Sequence, residues 1–416
     1  MRKNYKTIVL SAIIGLSSLN VHSLPQKEAE DQVIFVAPDG SASANGSSWG
    51  NATTLANAVQ VSGAQIWLKA GVYSLSATVT IDNANIYGGF AGTETELNGR
   101  NYYLHQSIID GGGVCSPLRC SSVAAFIDGL VVQNGINSSA NGGGMFLVNG
   151  STVRNCIFRN NRTGGTYNGA AIHCNSGNIT IENSLFVNNT SAANGGAVQV
   201  GGATTARIIN CTFANNKSTT GPGGAIGTGN NTSNCTLINT IAYNNQYGSV
   251  YSSYGQNADV NGGGTIISNH SAIESTSTKF TEANDIEHLS LTREVSPEFV
   301  APCSVIGYSN VPSEVEAINT ASYELKINSP CINAGNTTLA QDITLDLSAK
   351  NRITGRRVDI GAYEYKHTSD LQQVFFVVPN GSATADGASW ENATTLARSI
   401  FLSGLMALPR SVFKMK

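Results

Sequence analysis

A right-handed single-stranded parallel β-helix, an all-β solenoid, is the fold this 416-residue sequence predicts. Three observations carry it. First, a two-part phrase recurs. Its first half is Gly143-Gly144-Met145, then Gly169-Ala170-Ala171-Ile172, Gly195-Gly196-Ala197-Val198 and Gly223-Gly224-Ala225-Ile226. Its second half ends in paired asparagines, Asn160-Asn161, Asn188-Asn189, Asn215-Asn216 and Asn244-Asn245, spaced by 28, 27 and 29 residues. A fixed period in this range marks stacked units, each unable to bury its apolar face alone. Second, apolar residues alternate in short runs, as in Met145 and Leu147, Ile172 and Cys174, Val198 and Val200, Ile179 and Ile181. That is strand patterning with one face buried. Third, Asn and Gly punctuate the runs, and both tolerate the left-handed backbone of a sharp bend. The period alone also admits a leucine-rich repeat, but no Leu-x-x-Leu-x-Leu pattern appears.

Three short strands and their bends fit in about 27 residues at roughly 3.3 Å per strand residue. Stacking then turns each row of the repeat into a ladder. Asn155, Asn183, Asn210 and Asn239 are expected at one bend, their amides hydrogen-bonded from rung to rung rather than capping isolated surface turns. Phe158, Phe186 and Phe213 are expected to pile up inside, about 4.8 Å apart.

Along the chain, residues 1–23 read as a signal peptide: Arg2, Lys3 and Lys6, an apolar stretch from Thr7 to Val21, then Val21-His22-Ser23 as the cleavage site. A spacer follows at 24–31. Residues 32–60 form an opener that plugs the end of the solenoid, where strand edges and core would otherwise be exposed. Residues 61–328 form the β-helix, with blurred periodicity and longer excursions from Gln246 to Glu324. A closing segment occupies 329–365. Residues 366–400 then begin a second copy of the opener: Gln373–Ile400 matches Gln32–Val59 at 18 of 28 positions. Residues 401–416 show no strand pattern, and they read as an aberrant, disordered tail of a truncated or frame-shifted product.

Composition narrows the function. Charged residues make up 12% of the chain and the net charge is -3, against about 25% charged residues in ordinary domains. Such a surface has no electrostatic footprint for nucleic acid or an anionic membrane. After the signal no stretch is apolar for 18 residues, so no transmembrane span is expected in the mature chain. The chain has 8 cysteines. Cys156 and Cys211 share a row two rungs apart, too far for a bridge, and like Cys174 and Cys235 they read as small core residues. The candidate disulfides are Cys115–Cys120, across a short loop, and Cys303–Cys331, one rung's length apart.

Candidate chemistry is sparse. Lyases and glycosidases need clustered carboxylates, to hold calcium or to act as acid and base. Between Gly111 and Ala258 the acidic residues are Asp128 and Glu182 alone. Asp110 and Asp128 precede glycines and read as turn residues rather than as a calcium pair, so no catalytic residue, cofactor or metal is assigned. His173 faces outward, as a solvated or ladder histidine. Near the end, Asp346, Arg352, Asp359 and Glu364 read as a charge-paired structural clasp at the cap.

Three motifs resemble known families. Gly-Gly-Ala-Ile/Val paired with Phe-x-x-Asn, as in Gly195–Val198 with Phe213–Asn216, resembles the repeat of chlamydial polymorphic outer-membrane proteins. The opener Val36-Ala37-Pro38-Asp39-Gly40 with Ser48-Trp49 resembles the start of large secreted β-helix proteins of bacteria related to Bacteroides. Ser329–Gly335, Asp346, Arg352 and Asp359–Glu364 resemble the choice-of-anchor Q ending. The resemblance implies a pectin-lyase-like solenoid, exported to the cell surface, outer membrane or medium, that presents flat faces like an adhesin or scaffold to a host surface, glycan or protein. The alternative is a polysaccharide lyase or glycoside hydrolase whose carboxylates come from the acidic segment between Phe280 and Glu298.

Overall fold

Each repeat of the phrase folds into one rung of a parallel β-solenoid. The computed structural model describes residues 32–229, 231–248, 250–251, 260–273, 280–283, 296–353, 356–365, 374–382 and 412–415. The signal, the spacer and most of the acidic segment lie outside them. A representative rung runs through strands Met145–Leu147, Thr152–Arg154, Ile157–Arg159 and Arg162–Thr163. Each strand pairs in parallel with its counterpart one repeat later: Met145 with Ile172, Val153 with Ile181, Phe158 with Phe186, Arg162 with Thr190. The stacks form sheet A of 10 strands, sheets B and C of 7 each and sheet D of 6. In the chain order of a rung they run C, A, B, D. The three-strand rung expected from the sequence is therefore corrected to four. The strands of sheet D are only two residues long, too short to show an alternation.

The bends explain the punctuation. Asn155, Asn183, Asn210 and Asn239 take φ of 53°, 48°, 49° and 48°, and Asn160, Asn188, Asn215 and Asn244 take 55° to 58°. Few residues but Asn and Gly sit there at low cost. Gly195 opens its phrase at φ 62°, and a Cβ there would come 2.4 Å from the Val198 carbonyl oxygen. Only glycine fits.

Inward-facing side chains fuse into one apolar column from Ile34 to Ile273. The opener seals its start: strand Val33–Val36 pairs with Gln65–Lys69, and helix Leu55–Ala58 sends Leu55 and Ala58 into the same column.

The closing segment departs from expectation. It does not cap the end of the solenoid but runs along its side. Residues 296–353 and 356–365 form a brace over the outer face of sheet B, with an antiparallel strand pair (Phe299–Ala301 with Ser322–Leu325) and, between its strands, a helix, Pro312–Thr320. Residues 296–328, read from the sequence as rungs, belong to this brace. It has its own apolar core, where Leu185, Val187, Ala214 and Ile241 of sheet B meet Phe299, Tyr323, Leu347, Ile360 and Tyr363. Beyond it, Val374–Ser382 pairs in parallel with Val412–Met415, so a strand stands within the tail read as patternless. Among the described residues no helix is long and apolar enough to cross a membrane.

Candidate functional site

The ladders come first, because they decide which polar groups are free to act. Phe158, Phe186 and Phe213 are fully buried, with ring centroids 5.1 and 4.5 Å apart and planes within 5° of parallel. Strand spacing imposes this face-to-face stack. In the first asparagine row Asn183 donates to Asn155 Oδ1 at 2.6 Å and Asn239 to Asn210 Oδ1 at 2.9 Å. Between Asn183 and Asn210 the row is broken: Asn183 Oδ1 and Asn210 Nδ2 are buried without partners. The unbroken ladder is the one sequence reasoning passed over. Asn161 donates to Asn189 at 2.9 Å, Asn189 to Asn216 at 2.9 Å, and Asn216 to Asn245 at 2.8 Å. The same oxygens also accept backbone N–H groups. The doubled asparagine was its signal. The first of each pair sits at the bend, and the second points inside.

The rung carboxylates are spent on neighbours. Asp110 accepts from Gln133 at 2.6 Å and from Asn134. Asp128 pairs with Arg100 at 2.7 Å and accepts from Asn155. Glu182 pairs with Arg154 at 2.8 Å. Asp110 and Asp128 end strands of different sheets, B and A, so the structure does not bring them together. His173 lies between Phe146 and Gln199 in sheet C, stacked on Phe146 with centroids 5.5 Å apart. Burial pushes its pKa down to about 4, so it stays neutral.

Asp346, Arg352, Asp359 and Glu364 do meet, in the brace against sheet B. Arg352 is fully buried. Its Nη1 and Nη2 donate to the Ala362 and Gly361 carbonyl oxygens, and its Nε faces Glu364 at 3.3 Å, off the hydrogen-bond axis. Asp346 accepts from Ser348, Lys350 and the Glu364 N–H, and Asp359 accepts from the Asn333 and Tyr365 N–H groups. Burial, with Asp359 and Asp346 nearby, outweighs Arg352 and pushes the Glu364 carboxyl up to about 8. Tyr102, in the loop before sheet B's second strand, donates to the Asp346 carbonyl at 2.8 Å and ties the clasp to the solenoid.

The candidate disulfides are corrected: all eight cysteines are free. Strand Leu118–Arg119 separates Cys115 from Cys120, whose thiols turn to the carbonyls of Leu75 and Val123 respectively. Cys303 lies beside the Asn215 bend, whereas Cys331 bonds near the Asn239 bend through Ile360 and Gly361. The two thus stand at opposite ends of sheet B's strands. Burial pushes the thiols of Cys156, Cys174, Cys211 and Cys331 up to about 12.

One cleft opens between brace and solenoid, enclosing about 390 Å³. Sheet B supplies its floor through Ile157, Leu185, Val187 and Arg159, and the loop before it adds Tyr103 and Gln106. The brace supplies Ile318, Tyr323, Glu324 and Tyr363. Arg159 donates from Nε to Gln133 Oε1 at 2.9 Å and from Nη1 to the Asn319 carbonyl at 3.3 Å. Burial pushes its pKa down to about 10, so the guanidinium stays charged at neutral pH. Of the alternative acidic residues, Asp285, Glu287 and Glu294 lie outside the described residues, and Glu282 is described only as backbone.

No protein-family profile matches the chain, and no curated protein matches its sequence. Its structure is similar to a solved pectate lyase, Pel9A, at 16% identity and TM-score 0.40, covering 81% of this chain and 97% of that one. It is also similar to a rhamnogalacturonan lyase at 12% identity and TM-score 0.37, covering 58% and 67% respectively. These likenesses concern the fold.

Proposed function

We propose that this chain is an exported, non-catalytic β-helix, secreted or held at the cell surface, which presents its faces to a glycan or protein as adhesins and scaffolds do. One observation carries the reading: the rung carboxylates Asp110, Asp128 and Glu182 are each bonded to a neighbouring rung. Catalysis needs a carboxylate free to exchange a proton or hold a cation at the scissile bond. Here the acids are staples between rungs. The apolar, positively charged N-terminus supports export, and the Phe-x-x-Asn repeats and choice-of-anchor Q-like ending support a surface-displayed β-helix.

The test is to incubate the purified chain with a panel of polyuronates and to follow unsaturated products, while measuring retention on immobilised glycans and host-cell proteins. Retention without product is the expected result. Unsaturated ends above the background of a mock purification lacking the protein would replace this reading with the lyase. Sequencing the N-terminus of material recovered from cell fractions checks export; cleavage after Ser23 is expected.

A further inference from the structure

We infer that the cleft between brace and sheet B is a binding site for a small organic carboxylate: one anionic group at Arg159, with a ring-shaped body held against the mixed polar and aromatic lining. The inference deepens the binding reading above and rests on it.

The argument begins with a charge that is only partly satisfied. Arg159 presents five N–H donors in a rigid fork. Its protein partners are an amide oxygen and a carbonyl oxygen, both neutral. Among the described residues no carboxylate stands within ion-pair distance of it, and Nη2 has no protein acceptor. The contrast within the same solenoid is direct: Arg100, Arg154 and Arg352 each face an acid at 2.7 to 3.3 Å. Arg159 is half-buried, so the end of its guanidinium is left to water or to a ligand, and a planar fork is shaped for a carboxylate.

The supporting geometry orients that fork. Asp110 holds Gln133 Nε2, and Gln133 Oε1 holds Arg159 Nε. The acid therefore acts through an amide and leaves the end of the guanidinium to the cleft. Beyond the charge the lining is mixed: Ile157, Tyr323 and Tyr363 stand beside Gln106, Thr320 and Ser322, while Leu185, Val187 and Ile318 are almost wholly buried behind them. The volume falls in the lower part of the ~300–1,000 Å³ range of small-ligand sites. Glu324 also lines the cleft, so a second negative charge on the ligand is opposed. A monoanion with one flat face fits; a polyanion does not.

Two ligand sources share this chemistry, an acidic sugar and an aromatic acid. Calorimetric titration of the full chain with glucuronate and with benzoate separates them, with glucose and benzyl alcohol as uncharged counterparts. At least one acid should bind one site with a Kd of roughly millimolar or tighter, and its counterpart about tenfold more weakly or worse. Arg159→Gln should lose roughly tenfold in affinity, with Arg159→Lys recovering part of it. Thr320→Trp, on the exposed rim, should block the acid while leaving the unfolding midpoint near that of the parent. It decides the matter if Arg159→Gln fails to fold. The inference is overturned if neither acid saturates, if the uncharged counterpart binds equally well, or if Thr320→Trp binds like the parent. Release of unsaturated product would instead overturn the non-catalytic reading, a separate result from any of these.

Discussion

The column inside the solenoid and the brace on its flank bury similar side chains under different rules. Inside, each residue meets its own equivalent one rung away: Phe186 lies on Phe158 and Phe213, and Asn189 between Asn161 and Asn216. Any rung can be replaced by another of like sequence, so the contacts are redundant. The brace meets the solenoid partly through pairs that occur once, such as Tyr102 with Asp346, and partly by laying its carbonyls along the bend row, where Asn160, Asn188 and Asn215 donate to Ser309, Val305 and Cys303. Its hold depends on one fully buried arginine among three acids. Periodic packing spreads stability over many equal contacts, whereas aperiodic packing concentrates it.

Removing one member from each region sharpens that difference. Phe186→Ala should cost the most, about 3–5 kcal/mol in chemical denaturation, because the rings above and below cannot collapse into the gap. Arg352→Ala should cost about 3 kcal/mol, since it leaves the Gly361 and Ala362 carbonyls without their buried donor and opens a cavity beside Glu364. Here the loss should be local: proteolysis should release residues 296–365 while the rungs persist. Simultaneous cleavage of both regions would show that they unfold as one body and that the distinction is false.

The two asparagine rows allow a finer contrast. Asn189→Ala deletes a side chain bonded on both sides and should cost about 1–3 kcal/mol. Asn183→Gly, which keeps the left-handed bend and removes only the bonds to Asn155 and the Leu345 carbonyl, should cost less, about 1 kcal/mol. Equal losses would mean that the unbroken ladder contributes nothing beyond its bends. A further test of the brace is its response to pH. Glu364 titrates near 8 when folded against 4.5 as a free side chain. A raised carboxyl contributes its stability in full below about 4.5 and loses it as pH rises through 8. Docking should therefore weaken between pH 5 and 8.5 in a melting series, and Glu364→Gln should flatten that slope. A slope unchanged in Glu364→Gln assigns the titration to another group.

Legibility follows the same division. The rungs could be read because like residues recur at a fixed interval, and the bend asparagines because their conformation narrows the choice of residue. The Asn161 row was hidden by its own neighbour: two adjacent asparagines look alike in sequence, and only the pleat separates the bend residue from the interior one. Asp346, Arg352, Asp359 and Glu364 were recognisable as charges that must meet, but not as a bracket on the solenoid's side. The cleft left no trace, for Arg159 and Val187 look like ordinary outward strand positions until Tyr323 and Tyr363 close over them.

From its residues alone, this chain determined a stacked all-β architecture, the positions of its turns and the contents of its inner column, since those follow from local conformation and from short-period repetition. The course of residues 296–365, the free state of the cysteines and the unpaired guanidinium at Arg159 were decided by tertiary structure. The course of the brace and the surroundings of Arg159 depend on contacts between segments more than a hundred residues apart, such as Arg159 with Asn319 and Tyr102 with Asp346, and no local pattern encodes which of many exposed faces a non-repeating segment will cover.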